Sequence, residues 1–451
     1  MQADPQNTRQ MGVWAATAVV TGEAISLGIF LTPAGMARSL GSPALLVAVW
    51  AGMAVFTLAG ALCFTELAVR NPHDGGEYVY LRRGFGRPVA FLYGWMAALV
   101  MYPGVAAALC VGLVPYLQSM IRMPAPVATA TPAIALLVLG GLNYAGTRLS
   151  TRVMATLNWL KVPVLVALVG WALISGHATM ANLAPLTLRR AGADPLIEAI
   201  AGATISAFFC FGGWWEAGKI AGQVRNPERT LPVAFAGGVL IVTAIYMLVS
   251  LGFAAVVPLE QIQSNTAFVA QFGKALFGAA GGSVLSICVL LCVSGGLMVL
   301  SMAVPRVTFA LARGEAGAEG RGVLGALGKL NPNTGVPGNA VLLQTVMALA
   351  VLGLGAFDRI LAFIIFSAII FLGMTIATLF RTVTPVRHWW YPLAPVVFIA
   401  GCAVLALMLL MHDPGPSLLG AAIVLAGLPA RWLLTRRRDI SEQVATESST
   451  P

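Results

Sequence analysis

The chain has 451 residues, of which 58% are hydrophobic and only 10% are charged. A soluble domain carries about 25% charged residues, so a fold surrounded by water on all sides is excluded. The net charge of +10 does not point to nucleic acid either, because that reading needs basic residues gathered on a soluble face and no soluble domain is present.

The start, MQADPQNTRQ, is polar and lacks the basic-then-apolar pattern and small-residue cleavage site of a signal peptide. The first span is therefore expected to stay in place as a membrane helix. The sequence predicts an all-α membrane protein with twelve transmembrane helices, near residues 12–37, 42–69, 88–119, 127–145, 151–176, 196–222, 231–257, 276–311, 338–356, 359–381, 391–411 and 415–434. Crossing a bilayer takes roughly 20 apolar residues. Residues 1–11 read as an N-terminal segment, 12–434 as a single membrane domain, and 435–451 as a disordered tail. Within the domain, 12–176 and 196–381 read as two repeats and 391–434 as two accessory helices.

Of the 27 Lys and Arg residues, 20 fall on the side of the N-terminus, six on the opposite side, and Lys161 inside a span. Cytoplasmic loops carry such an excess, so both termini are expected in the cytoplasm. The cluster RWLLTRRR at the end of the last span orients that helix and suits contact with anionic lipid. Three connections are longer than the rest. Residues 71–88 predict a short interfacial helix, 258–278 an amphipathic lid, and 312–339 a flexible glycine-rich loop.

Two spans in matching positions are interrupted. In the first, Thr21, Gly22 and Glu23 precede Ser26, Leu27 and Gly28. A helix that stops near Ile25 and restarts near Ile29 presents carbonyls suited to an ammonium at the stop. At the restart it presents free N–H groups and a positive dipole end suited to a carboxylate. The second interruption, about 185 residues on, is FFCFGGW, Phe208 to Trp214. Backbone left unpaired in hydrocarbon costs several kcal/mol per group, roughly, unless protein, water or a ligand satisfies it. Paired breaks therefore predict a binding site near the bilayer midplane, between inverted repeats, as in a transporter. Each break taken alone also fits a glycine at a tight helix crossing or kink.

Ionisable groups inside a span face a cavity or a partner. Glu23 is placed to hold a substrate ammonium or to titrate and couple proton movement, with capping of the unwound segment as the structural alternative. Glu216, beside Lys219, suits an inner-gate or pairing role. Lys161 lies too deep to reach the surface and suits the carbonyls of the first break, or an ion pair with Glu23. The cysteines, Cys63, Cys110, Cys210, Cys288, Cys292 and Cys402, fall inside spans without metal-ligand spacing, so no metal site or cofactor is expected. Cys210, in the second break, is the candidate for unusual reactivity.

Four segments resemble the amino acid–polyamine–organocation superfamily, most closely bacterial relatives of the L-type amino acid transporters. They are Ser26-Leu27-Gly28-Ile29-Phe30, GEYVYLRRGFGRPVAFLYGW (76–95), FGGWWEAGKIAGQVRNPERTLPVAF (211–235), and SGGLMVLSMAVPRVTFALARGE with Pro337 and Asn339-Ala340 downstream. The resemblance implies a leucine-transporter-like fold of five-plus-five inverted repeats, with helices 1 and 6 broken, working by alternating access. It implies that Ile25, Ser26, Leu27 and Gly28 bind the α-carboxylate and amine, with carbonyls near Phe209 and Gly212 sharing the amine. Phe209 matches an aromatic outer gate, with Trp214 as a second gate residue, and Lys161 matches the lysine of sodium-independent members. This chain departs from the family pattern in its Ser-Leu-Gly, in Glu23, and in Gln223 before the N-P motif. Residues 119–127 hold no cysteine, so no disulfide-linked heavy chain is expected.

The function this implies is a sodium-independent secondary transporter of amino acids in a bacterial inner membrane, acting as exchanger or proton symporter. A polyamine or cationic amino acid permease is the alternative, and a non-transporting amino acid sensor on the same scaffold is a more remote one. A channel would need a filter repeat or continuous polar lining, which the sequence lacks. An enzyme would need clustered catalytic side chains, and His73, His177, His388 and His412 lie far apart in loops.

Overall fold

The computed structural model of the protein describes residues 11–25, 28–71, 76–145, 167, 170–184, 186–257, 268–316, 322–332, 334–355, 357–381 and 388–447. Among these the structure is helical, with one isolated bridge between Met11 and Val224. The helices are α1 (Val13–Ala24), α2 (Gly28–Leu40), α3 (Pro43–Arg70), α4 (Glu77–Phe85), α5 (Arg87–Met120), α6 (Ala125–Tyr144), α7 (Leu196–Phe211), α8 (Pro227–Val256), α9 (Phe268–Ala316), α10 (Gly322–Leu327), α11 (Gly338–Leu352), α12 (Phe357–Ala377), α13 (Leu393–His412) and α14 (Pro414–Glu447).

Nine helices among the described residues are long and apolar enough to cross a bilayer, and Val13–Gly22 and Gly338–Leu352 are shorter apolar helices. These eleven correspond to eleven of the twelve expected spans. The remaining one, 151–176, lies mostly outside the described residues, and Lys161 with it. The helix expected within 71–88 is α4. Residues 258–267 of the expected lid fall outside the described residues; the rest, from Phe268, is the start of α9, with a kink at Gly278. The stretch read as a disordered tail is helical as far as Glu447.

Both expected breaks are present, and each has a local cause. Ile25 leaves the helical region (φ −75°, ψ 83°) while its N–H still bonds Thr21 O at 2.8 Å. At the second break Gly212 is extended (ψ 146°) and Gly213 is left-handed (φ 99°), after which Trp214–Gln223 resumes as a 3-10 segment. Left-handed backbone is open to glycine and costs other residues about 1–2 kcal/mol. The N-P stretch that follows is a helix start. Asn226 is left-handed, and Pro227 takes the first helical position, where its missing N–H loses nothing.

The four half-helices pair crosswise. α1 packs on the 214–223 segment, α2 packs on α7, and α8 lies across α1 and α3. α5 and α12 are the most enclosed helices, whereas α6, α13 and α14 turn most of their apolar surface outward. Apolar faces of that length and number suit a bilayer, as in a multi-pass membrane protein. α13, expected as accessory, reaches the second break. Its Phe398 stacks on Phe56 at 4.4 Å and meets Trp214 at 6.2 Å.

Gly213→Ala is expected to lower unfolding stability by about 1–2 kcal/mol through the left-handed strain. Thermal unfolding of the purified full chain checks it, and an unchanged midpoint would contradict the assigned backbone.

Candidate functional site

In an unbroken helix the carbonyl of Ala24 would accept from residue 28 and that of Cys210 from residue 214. The breaks remove both donors. Tyr246, on α8, replaces them. Its hydroxyl lies 2.6 Å from Ala24 O and 2.8 Å from Cys210 O. A phenol has one proton to donate, so the two carbonyls share a single donor and retain acceptor capacity between them. Both belong to helix C-termini, whose negative dipole ends thus converge on one point. That point suits a cation with several N–H donors. The Tyr246 ring is fully buried, 5.3 Å from Trp50 and 5.4 Å from Phe211.

Sequence reasoning missed Tyr246. The available signal was a lone tyrosine in an otherwise apolar span, since a buried phenol hydroxyl needs a partner.

The restarted helix α2 is seated against α7 by a close approach. A Cβ on Gly28 would fall 2.9 Å from both the Cα and the Sγ of Cys210, and 3.3 Å from the Phe209 ring. Glycine alone fits without displacement. Thr32 completes the contact: its hydroxyl donates to Gly28 O at 3.0 Å and lies 2.8 Å from Cys210 Sγ. Cys210 is fully buried, so the expected reactivity fails for want of access. The amides of the first turn of α2 have no acceptor one turn back within their own helix, and they form the positive end of its dipole.

The sequence-derived candidates divide accordingly. Ile25 and Gly28 flank the break, and Phe209 stands over Gly28 with its ring edge-on to Phe357, 5.6 Å away at 87°. Gly212 donates to Phe209 O at 3.1 Å, which partly occupies that carbonyl. Trp214 lies elsewhere, packed with Phe64, Trp215, Phe235 and Phe398. Ser26, Leu27, Lys161 and the Glu23 side chain lie outside the described residues.

Glu216 has the partner its position suggested. Lys219 Nζ lies 2.8 and 2.7 Å from its two oxygens, and Tyr102 donates to it at 3.2 Å. Among the described residues no group of three or more His, Cys, Asp and Glu side chains is placed to hold a metal.

A family model described as amino acid permease matches residues 11–426. The chain is 26% identical over 443 residues to the serine/threonine exchanger SteT of Bacillus subtilis (strain 168), covering 95% of this chain and 98% of that protein. It is 27% identical over 441 residues to the large neutral amino acids transporter small subunit 2 of Homo sapiens, covering 94% and 80%. The structure of MhsT in complex with L-phenylalanine matches with a TM-score of 0.52 and 14% identity, covering 88% of this chain and 97% of that one.

Tyr246→Phe leaves both helix-end carbonyls without their donor. A buried polar group without a partner costs about 1–3 kcal/mol, and a loss of that size is expected in chemical denaturation of the detergent-solubilised protein. Unchanged stability would mean that the hydroxyl does not hold these ends.

Proposed function

This chain belongs to the amino acid permease family, and on that premise we propose that it is a sodium-independent secondary transporter of amino acids. It works by alternating access, as an exchanger or a proton symporter. One observation carries this reading: the carbonyls of Ala24 and Cys210 converge on Tyr246, and the glycine-headed start of α2 is pressed against the same cysteine. An α-amino acid holds its ammonium and carboxylate on one carbon, and this arrangement offers acceptors for the first beside donors for the second. In the transport cycle the substrate ammonium competes with Tyr246 for the two carbonyls, and the carboxylate takes the first-turn amides of α2.

The crosswise pairing supports the motion. α1 with the 214–223 segment, and α2 with α7, are packed pairs on either side of the breaks. Rocking one pair against the other opens the site to one face of the membrane at a time. The rings of Phe209 and Phe357 form the cover on the side of α2 and α7. Sodium independence rests on Lys161, whose ammonium takes the place of a coupling cation beside the first break. Glu23 tunes the substrate ammonium or carries a proton. The relatives that exchange serine and threonine or carry large neutral amino acids make neutral amino acids the substrates of first choice. The lysine and arginine distribution supports cytoplasmic termini in a bacterial inner membrane, and the cysteine-free 119–127 stretch supports function without a disulfide-linked heavy chain.

The full chain in proteoliposomes is expected to exchange labelled serine or leucine for internal amino acid, equally well with and without sodium, and to carry lysine and putrescine poorly. Glu23→Gln flattens the pH dependence of uptake if Glu23 couples protons and leaves it unaltered if Glu23 only caps the break. Gly28→Ala overpacks the α2–α7 contact by about 1–3 kcal/mol and is expected to weaken substrate affinity roughly tenfold. Binding without exchange would reassign the protein as a sensor, a requirement for sodium would remove the role given to Lys161, and preference for putrescine would favour a polyamine carrier.

A further inference from the structure

A second buried constellation lies away from the two helix stops. Glu77, in the first turn of α4, is 1% exposed, and its Oε2 has no hydrogen-bond partner. Around it stand Lys219 and Glu216 from the 214–223 segment, Tyr93 and Tyr102 from α5, and Tyr80 on its own helix. The Lys219 ammonium spends its close contacts on Glu216 and on the Tyr102 hydroxyl. Glu77 therefore feels that charge only at a distance. The hydroxyl of Tyr93 is also buried without a hydrogen bond of ordinary geometry. Of the other cations on or beside α4, Arg82 and Arg87 are exposed, Arg83 bonds Asn71, and Arg381 lies over Phe85 and bonds Gly84 O. His73 and Asp74, just upstream, lie outside the described residues.

The charge balance is the central point. Among the described groups one ammonium faces two carboxylates, and an unpaired charge in a buried place is strongly unfavourable. Adding one proton makes the cluster neutral. Glu216 is already matched by Lys219, so the proton belongs on Glu77. Burial, reinforced by Glu216 and opposed by Lys219 and by the nearby Tyr93 hydroxyl, pushes the Glu77 carboxyl up to about 7.

α4 is enclosed chiefly by α5, by 378–381 and by α12, and the 214–223 segment closes the remaining side. Tyr80 donates to Gly218 O at 3.4 Å, and a Cβ on Gly76 would lie 2.7 Å from Lys219 Cγ. Thus α4 is clamped directly onto the half-helix that follows the second break. Tyr102 follows a five-residue π-helical turn, Ala97–Met101, inside α5. Such turns recur at functional positions, and this one precedes the tyrosine that meets Lys219.

We propose that Glu77 is a proton-binding residue of the transport cycle. Its carboxyl takes one proton from water while the 214–223 segment is lifted, keeps it while that segment is clamped down, and returns it to water when the segment lifts again. The coupling to substrate rests on the alternating-access reading above, whereas the protonation does not. Because the clamped arrangement binds the proton more tightly than the open one, its advantage is full below the ordinary carboxylate range and is lost progressively as pH rises to about 7.

Infrared difference spectroscopy of the purified full chain in lipid tests the protonation directly. Wild type is expected to show a protonated-carboxyl band that disappears between about pH 6 and about pH 8. The band should be missing in Glu77→Gln and present in His73→Gln and Asp74→Asn. Its absence from wild type, its survival in Glu77→Gln, or its loss in either neighbour variant overturns the assignment. Should Glu77→Gln fail to fold, Glu77→Asp decides the matter: a displaced band or titration midpoint supports Glu77, and an unaltered one refutes it. The second readout is exchange of labelled serine in proteoliposomes. A several-fold change of rate across the same pH interval is expected in wild type and a flat profile in Glu77→Gln. Equal profiles in the two would refute the coupling, while absence of exchange in wild type at every pH would refute the transport reading and leave the infrared result standing.

Discussion

A helix that stops inside hydrocarbon must give its last carbonyls to something other than water. Here two helices stop in one place, and the Tyr246 hydroxyl serves an end of each, Ala24 O and Cys210 O. Everything near the midplane follows from that shared donor. It holds the end of α1 beside the end of α7, with α8 as the common support. It also leaves the acceptors only partly satisfied. Full satisfaction would give a stable but inert joint, and no donor at all would forbid the break. A single proton between two carbonyls lies between those limits, which is the condition a reversible ligand requires.

Close packing sets the opposite side of the same site. Gly28 lets the restarted α2 approach Cys210 to a distance that a Cβ would forbid, and Thr32 links the two by hydrogen bonds. The donors of α2 are thereby placed next to the acceptors of α7. Beyond the second break the chemistry changes character. The 214–223 segment is fixed by ionic and phenolic contacts of Glu216, Lys219 and Tyr102 and by the aromatic packing of Trp214. One half of the broken helix is thus held by apolar and backbone contacts, and the other by ionic and aromatic ones.

Much of the architecture was legible in the sequence because hydrocarbon constrains each segment separately. Apolar length marked the spans, and glycine beside polar residues marked both breaks at the places where Ile25 and Gly213 leave the helix. The pairing of Glu216 with Lys219 was readable from their spacing on one segment. The surroundings of Trp214 were not readable: the left-handed Gly213 turns the chain just before it and delivers its ring to Phe64 and Phe398. The reach of α13 to the break was not readable either, because an apolar span looks the same whether its face meets lipid or protein.

By itself, the sequence determined the helical class, the number and extent of most spans, and where two of them must open. These properties depend on residues close together in the chain, and the bilayer tests each of them locally. Only the tertiary structure decided which group replaces a lost backbone donor. Ala24 and Tyr246 are 222 residues apart, and no local pattern links them. It likewise decided that Glu77, one acidic residue in an interfacial turn, is enclosed with Glu216 and a single ammonium. Hydrogen-bond satisfaction and charge balance in a low-dielectric interior are properties of the neighbours, and the neighbours are assembled by the fold.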